Sequence, residues 1–216
     1  MTGVQIINAL AVLLIITSLM VVETRKPHLS AHIYSIQSFV LVLIFLALAI
    51  FMKATPLYIW SITALVTKVI LVPYLIIKAL EKVGDPGEPG ALLSPASSLL
   101  LAALFIGLAF LIVTPFHMQA ILKLKTALAV SIAHFLLGLL CILTRRNALK
   151  QILGYCLMEN GSHLTLAFMA YNAPETVEIG ILTDAIFAVV IMSVIAVYLF
   201  KVLGTLDTDK LTSLKG

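Results

Sequence analysis

The stretch HFLLGLLCILTRRNALKQILGYCLMENGSHLTLAFMA, residues 134–170, decides the fold. It contains two long apolar runs separated by the polar turn TRRN at 144–147. A helix needs about 20 residues to cross a hydrocarbon layer of ~30 Å, and its backbone groups must be paired within the segment. The stretch therefore predicts two membrane-spanning helices joined by a basic turn. The second helix carries Glu159, Asn160 and His163 inside its apolar run, and a carboxylate is costly there.

The rest of the chain has the same character. Of its 216 residues, 62% are hydrophobic and 11% are charged, and the mean hydropathy is +1.15. A water-soluble domain has roughly 25% charged residues, so lipid is the natural solvent for this chain. We therefore predict an all-α integral membrane protein with about seven transmembrane helices. They lie at about 3–22, 31–52, 57–78, 97–116, 126–144, 150–171 and 176–200.

The basic residues indicate how these helices are oriented. Of the fourteen lysines and arginines, ten fall on one side of a seven-span arrangement, three fall on the other, and Lys68 lies within a span. Cytoplasmic loops carry the excess of positive charge, so the side with ten is predicted to be cytoplasmic. The N-terminus is then outside and the C-terminus is inside. The net charge of +4 does not indicate nucleic-acid binding, because no basic cluster is interleaved with aromatic residues.

A weak internal repeat divides the chain. The tripeptide TRK at 24–26 ends the first helix, and TRR at 144–146 ends the fifth. Each is followed by a helix with polar groups, a proline-containing turn and a helix with one charged residue. This pattern suggests two three-helix units in the same orientation, joined by the fourth helix. We expect an N-terminal unit at 1–80, a polar loop and linking helix at 81–125, and a C-terminal unit with a short cytoplasmic tail at 126–216.

Four ionisable side chains fall within the spans at similar depth. Counted at 1.5 Å per residue from the predicted helix ends, they lie about 12 to 17 Å below a membrane face. They are Lys68, His134, Glu159 and Asp184. A charge at mid-helix costs roughly 2.5–3.5 kcal/mol on insertion scales, so such residues face protein or water. Their common depth suits a lateral proton relay. His163, one turn after Glu159, could pass a proton outward.

Structural roles compete with this interpretation. A buried Glu–Lys pair can simply hold helices together, and Glu178 in the first turn of its helix is expected to be solvated or to cap it. Gly154 and Gly161 are expected to allow close approach of a neighbouring helix. Cys141 and Cys156 form no CxxC motif, so we expect no iron–sulfur ligation by this chain. No nucleophile–base pair, phosphate loop or carboxylate metal site is found in the sequence.

The opening stretch, together with APETVEIGILTDAIFAVVIM at 173–192, resembles component E of hydrogenase-4. LYIWSITALVTKVILVPYLI at 57–76 and the tail GTLDTDKLTSLKG at 204–216 resemble it too. In its last three helices that family is similar to the small K-type subunit of respiratory complex I. There, glutamates near the midplane of the second and third helices belong to the proton path. By position Glu159 matches the first and Asp184 the second, with aspartate in place of glutamate.

The resemblance implies a cofactor-free membrane subunit of a [NiFe] hydrogenase complex of the formate hydrogenlyase type, in the bacterial inner (cytoplasmic) membrane. The implied partners are antiporter-like membrane subunits, a hydrogenase membrane-anchor subunit, and [NiFe] hydrogenase and iron–sulfur subunits. The nickel–iron centre and iron–sulfur clusters would lie in those partners. This chain would have no catalytic site of its own. It would contribute to a proton path through Glu159, Asp184, Lys68, His134 and His163.

Three alternatives stay open at this point. A free-standing secondary transporter is compatible with the repeat, although no Gly-rich broken helix marks a substrate site. A purely structural scaffold of the membrane arm would hold its charges paired and inert. A b-type cytochrome would use His134 and His163, on consecutive helices at similar depth, as haem ligands.

Overall fold

The computed structural model describes residues 3–84, 92–115 and 124–213, and these form a bundle of eight α-helices. The helices are α1 (Gly3–Glu23), α2 (Pro27–Met52), α3 (Pro56–Ala64), α4 (Val72–Val83), α5 (Pro95–Val113), α6 (Lys125–Thr144), α7 (Ala148–Met169) and α8 (Glu175–Leu203). A π-helical segment, Leu65–Leu71, joins α3 to α4, so the two form one continuous helical stretch. A short 3₁₀ helix, Thr208–Ser213, follows α8.

Within the described ranges, six helical stretches are long and apolar enough to cross a membrane. They are α1, α2, Pro56–Val83, α5, α6 and Thr176–Leu203 of α8. The sixth predicted span, 150–171, corresponds to α7, which has 22 residues but is not among the six stretches. The all-helical membrane architecture is confirmed for these residues, whereas the count of seven is not. The physical reason is that α7 carries polar side chains that face other helices.

The helix α7 lies inside the bundle. It packs against α2, α6 and α8, so much of its surface meets protein instead of lipid. Across the bundle α1 packs on α6, α2 on α7 and α4 on α8. Each helix of the predicted N-terminal unit thus contacts the helix in the same place in the C-terminal unit. The boundaries of those units stay a prediction. Residues 85–91, in the middle of the polar loop predicted before α5, lie outside the described residues.

Glycines allow α6 and α7 to approach closely. A Cβ atom built on Gly138 would lie 2.3 Å from the backbone nitrogen of Met158. One built on Gly161 would lie 2.4 Å from the backbone nitrogen of Phe135, and one on Gly154 would lie 3.0 Å from Gly138 O. No side chain fits at such distances. The expected stripe of small residues at Gly154 and Gly161 is therefore confirmed.

Two basic residues on the predicted cytoplasmic side are buried at the end of α1. The ammonium of Lys150 donates to three oxygen atoms around that end: Val21 O, Thr24 O at 2.7 Å and Ser30 Oγ at 2.5 Å. The carbonyls of a last helical turn have no partner within the helix, and Lys150 supplies one. Arg145 lies nearby with its Nη2 3.0 Å from Glu23 Oε1. These contacts fix the ends of α1, α6 and α7 together.

The C-terminal tail folds back onto the turn between α6 and α7. The backbone N–H of Ala148 donates to Leu206 O at 3.0 Å, and that of Thr208 donates to Arg146 O at 2.8 Å. At the same turn the side chain of Asn147 accepts hydrogen bonds from the first N–H groups of α7. The tail and the cap together fix where α7 begins.

Candidate functional site

The candidate site is built around the π-helical segment that carries Lys68. Pro73 follows this segment in the first turn of α4. Proline has no N–H, and in an α-helix its ring clashes with the carbonyl four residues earlier. A wider turn ahead of the proline accommodates it within one continuous helix, and such π turns are frequent at functional sites. Here the π segment presents the side chain of Lys68 to α7, where it is 2% exposed.

Lys68 contacts two consecutive side chains of α7. Its ammonium forms an ion pair with Glu159 Oε2 and donates a hydrogen bond to Asn160 Oδ1 at 2.9 Å. The side chain of Glu159 is 14% exposed. Moving two charges out of water costs several kcal/mol per ion, and the mutual attraction and the additional hydrogen bond offset this cost. The structure thus brings together two of the predicted site residues.

Glu159 also borders a narrow crevice between the π segment, α7 and α8. The crevice has a volume of about 10 Å³, and its walls include Tyr155, Ala185 and Ile186. One water molecule needs roughly 10–15 Å³ of such space. Among the described residues, Glu159 Oε1 has no hydrogen-bond partner. The carboxylate therefore has one oxygen bound to Lys68 and one without a hydrogen-bond partner, beside a space of about the size of one water molecule.

A chain of hydrogen bonds leads from Asn160 to α1. Asn160 Nδ2 donates to Gln37 Oε1 at 3.2 Å, and Gln37 Nε2 lies 3.1 Å from His134 Nε2. His134 Nδ1 in turn lies 2.6 Å from Ser18 Oγ. All four side chains are fully buried. Asn160 thus bonds to a side chain of α2, and the chain of hydrogen bonds connects Lys68 to His134.

The hydrogen-bond partners fix the protonation of His134. Ser18 Oγ lies 2.5 Å from Leu14 O, and a carbonyl only accepts, so the hydroxyl donates there and accepts from His134 Nδ1. The amide nitrogen of Gln37 only donates, so His134 Nε2 accepts. His134 is therefore a neutral imidazole with both nitrogens engaged. A haem iron would need one of them, so the arrangement does not support the cytochrome alternative.

His163, one turn further along α7, belongs to a second buried pair. Its Nε2 lies 2.5 Å from Glu178 Oε2, and neither side chain is exposed. Its ring centroid lies 4.8 Å from that of Phe45 and 4.9 Å from that of Trp60. The expectation that Glu178 is solvated or caps α8 is wrong. The first turn of α8 packs against α3, and there Thr63 Oγ1 donates to Glu178 Oε1 at 2.6 Å.

Sequence reasoning missed Glu178 because a carboxylate in a first helical turn near a membrane face is usually in contact with water. A usable signal was present in the spacing. His163 lies near the end of α7 and Glu178 near the start of α8, and only a short turn separates the two helices. Two consecutive antiparallel helices place such residues at similar depth, so a contact between them was geometrically available.

Asp184 belongs neither to the buried group around Lys68 and Glu159 nor to the His163–Glu178 pair. It lies on the exposed side of α8, whereas the other predicted site residues are buried or, for Glu159, mostly buried. The structure therefore gathers four of the five predicted residues into two clusters. In one, Lys68 and Glu159 are connected to His134 through two amides; in the other, His163 meets Glu178. Within the described part of the chain, no group of three or more His, Cys, Asp or Glu residues could hold a metal ion.

Sequence comparison identifies the family. The chain is 50% identical to hydrogenase-4 component E of Escherichia coli K12 over 216 residues, which is the full length of both proteins. The chain belongs to the hydrogenase-4 component E family. The identity to hydrogenase-4 component E of Shigella flexneri is also 50% over the full length of both chains. The predicted resemblance to this family is confirmed.

Two more distant similarities each cover part of the chain. An uncharacterized protein of Mycobacterium tuberculosis is 29% identical over 156 residues, which cover 72% of this chain and 71% of that protein. Residues 126–216 match the family model of NADH-ubiquinone/plastoquinone oxidoreductase chain 4L, which confirms the predicted similarity to the K-type subunit of complex I. None of the solved structures matches the chain.

Proposed function

We propose that this chain is a non-redox membrane subunit of a [NiFe] hydrogenase complex of the formate hydrogenlyase type. Its buried charges would couple the hydrogenase arm to ion translocation by antiporter-like subunits. Family membership and the chain 4L match of residues 126–216 support the assignment to such a complex. The observation that carries the coupling role is the buried Lys68–Glu159 pair, in which one carboxylate oxygen borders a crevice of water size.

Glu159 is the group that would take up and release the proton. Burial favours the neutral form of a carboxyl group, whereas a neighbouring ammonium favours the charged form. A movement of the Lys68 ammonium toward or away from Glu159 therefore changes which form is preferred. The continuous helix from α3 to α4 carries Lys68 on its π segment, so a small change in that segment would be enough to move the ammonium.

The two amides between Lys68 and His134 have a positioning role in this proposal. Asn160 and Gln37 donate and accept hydrogen bonds, but they do not titrate. A proton cannot pass along this branch by side-chain exchange alone. We therefore place the transfer on the other side of Glu159, through the crevice toward α8 and the exposed Asp184, with His134 as the anchor of the hydrogen-bond chain. This route differs from the predicted lateral relay, which would run through Lys68, His134, Glu159 and Asp184.

The His163–Glu178 pair is a second place where a proton could be held. It lies one turn of α7 from Glu159, at the end of the bundle where α3 and α8 begin. A neutral histidine beside a carboxylate can accept a proton and form an ion pair. In this proposal the pair connects Glu159 with that end of the bundle, which is the outer end in the predicted orientation.

A structural scaffold is the rival function that the same contacts favour most. The two pairs join α7 to the π segment and to α8, so they would stabilise the bundle even with no proton moving. The scaffold and the coupling role differ in what happens when Glu159 loses only its ability to ionise. A substitution that keeps the shape and the hydrogen bond to Lys68 separates them.

The variant Glu159→Gln provides this test in the assembled complex. The expected result is normal assembly and normal dye-linked hydrogenase activity, with hydrogenase-driven acidification of inverted membrane vesicles reduced at least about tenfold. Proton transfer by a positioned group contributes roughly 10²–10⁴ in rate, so a tenfold loss is a lower bound. Quenching of a pH-sensitive acridine dye measures the acidification.

The matched control is Glu23→Gln, which removes a carboxylate from a different ion pair, with Arg145 at the end of α1. This variant is expected to keep its translocation. Unchanged translocation in Glu159→Gln would assign Glu159 to the scaffold. An equal loss in both variants would show that any broken ion pair disturbs the bundle, and would also contradict the proposal.

A further inference from the structure

A groove lies between α4 and α8, away from the clusters around α7. Its volume is about 340 Å³. Its lining includes three lysines and several apolar side chains: Lys78, Lys82, Lys201, Leu75, Val190 and Val194. The three lysines are exposed, and no ion pair is found for them among the described residues. The groove therefore combines three positively charged side chains with an apolar wall.

Charge and apolar surface are arranged in order along the groove. On α4 Lys78 and Lys82 follow Leu75, and on α8 Lys201 follows Val190, so both walls change from apolar to basic toward the helix ends. Lys82 and Lys201 lie in the last turns of their helices. Glu81, the nearest carboxylate along α4, does not line the groove. Such a gradient matches a ligand with a negative head and an apolar body.

We propose that this groove binds an anionic diacyl phospholipid. The three lysines hold the phosphate at the membrane surface, and an acyl chain follows the apolar wall toward the membrane centre. Basic pockets between transmembrane helices bind anionic head groups in this way. The proposal does not depend on the proton path and concerns a different face of the molecule.

The Lys78 ammonium lies 5.4 Å from the ring centroid of Tyr74 and 3.4 Å from its hydroxyl. Neither group is negatively charged, so the charge of Lys78 is not neutralised by these contacts and can meet a phosphate.

Native mass spectrometry of the full-length chain in neutral detergent tests the proposal. After delipidation the protein is titrated with cardiolipin, phosphatidylglycerol or phosphatidylethanolamine. The expected result is retention of the two anionic lipids and little retention of the zwitterionic one. A basic residue near anionic lipid contributes about fivefold to binding, so the triple variant K78Q/K82Q/K201Q should lose on the order of a hundredfold in affinity for the anionic lipids.

A matched variant, R25Q/K26Q/K53Q, removes three exposed positive charges outside the groove and should keep its lipid affinity. Val194→Trp keeps every lysine but places a larger side chain on the apolar wall, at a position that is 63% exposed, and should also release lipid. Equal loss in both triple variants, or full lipid retention by Val194→Trp, would overturn the proposal. So would tight binding of phosphatidylethanolamine. A cross-link from Lys78 to an acidic helix of a partner subunit in native membranes would assign the groove to that protein instead.

Discussion

Lys68 and Glu159 neutralise each other inside the bundle, so each depends on the other. When one partner is replaced by an apolar side chain, the remaining charge is buried with neither its counter-charge nor the hydrogen bond between them, and such a loss costs about 3–5 kcal/mol. When Lys68 and Glu159 are both replaced by neutral side chains, no uncompensated charge remains in the interior. The pair therefore contributes less to stability than either single substitution would suggest.

Lys68→Met is expected to lower the unfolding free energy of the purified chain by about 3 kcal/mol, because Glu159 loses its partner. The double variant Lys68→Met/Glu159→Gln should recover most of this loss. Denaturation in detergent, followed by circular dichroism, measures both. Lys26→Met, at an exposed position before α2, is the control and should change little. A double variant as unstable as the single one would show that the charges do not compensate each other.

At the scale of elements, the contact between α6 and α7 sets the position of the site. Glu159 and Asn160 lie beside Gly161 on α7, and the backbones touch where no side chain fits. Membrane helices associate through close packing of this kind because lipid gives no hydrophobic drive between them. The depth and rotation of Glu159 relative to Lys68 follow from this contact.

Gly161→Ala is expected to force α6 and α7 apart, because the new Cβ would lie 2.4 Å from the backbone nitrogen of Phe135. Overpacking of this kind costs roughly 1–3 kcal/mol, seen as a lower unfolding midpoint. Gly180→Ala is the matched control, since a Cβ built there has no heavy atom within 4 Å. It should leave the midpoint unchanged or raise it slightly. Equal effects of the two substitutions would mean that the α6–α7 contact adapts freely.

For the whole molecule, the number of crossings depends on α7. Its 22 residues span about 33 Å at 1.5 Å per residue, which is enough to cross the hydrocarbon layer. Most of its polar side chains contact other elements of the bundle, so they do not oppose a crossing. Lys150 meets the end of α1, Asn160 meets α2, and His163 meets Glu178 of α8. The distribution of lysine and arginine favours seven crossings with the C-terminus in the cytoplasm.

Labelling of single introduced cysteines by an impermeant maleimide decides between six and seven crossings. Asn172, exposed after the end of α7, is expected to face the outside, so Asn172→Cys should react in intact cells. Lys53→Cys is the reference for the outside and Arg25→Cys the reference for the cytoplasm. The native Cys141 and Cys156 are buried and give a low background. If Asn172→Cys reacts only after permeabilisation, as Arg25→Cys should, then α7 does not cross the membrane.

The sequence by itself determined that the chain is helical, membrane-spanning and related to hydrogenase-4 component E, and it singled out Lys68 and Glu159. Apolar length, basic turns and the cost of a charge in lipid are local properties, so they can be read along the chain. Only the tertiary structure decided which groups meet. It paired His163 with Glu178, buried Lys150 against the end of α1, left Asp184 exposed, and separated His134 from Lys68 by two amides. Those outcomes depend on the rotation of each helix about its axis, which is set by packing against its neighbours and not by the residues of that helix alone.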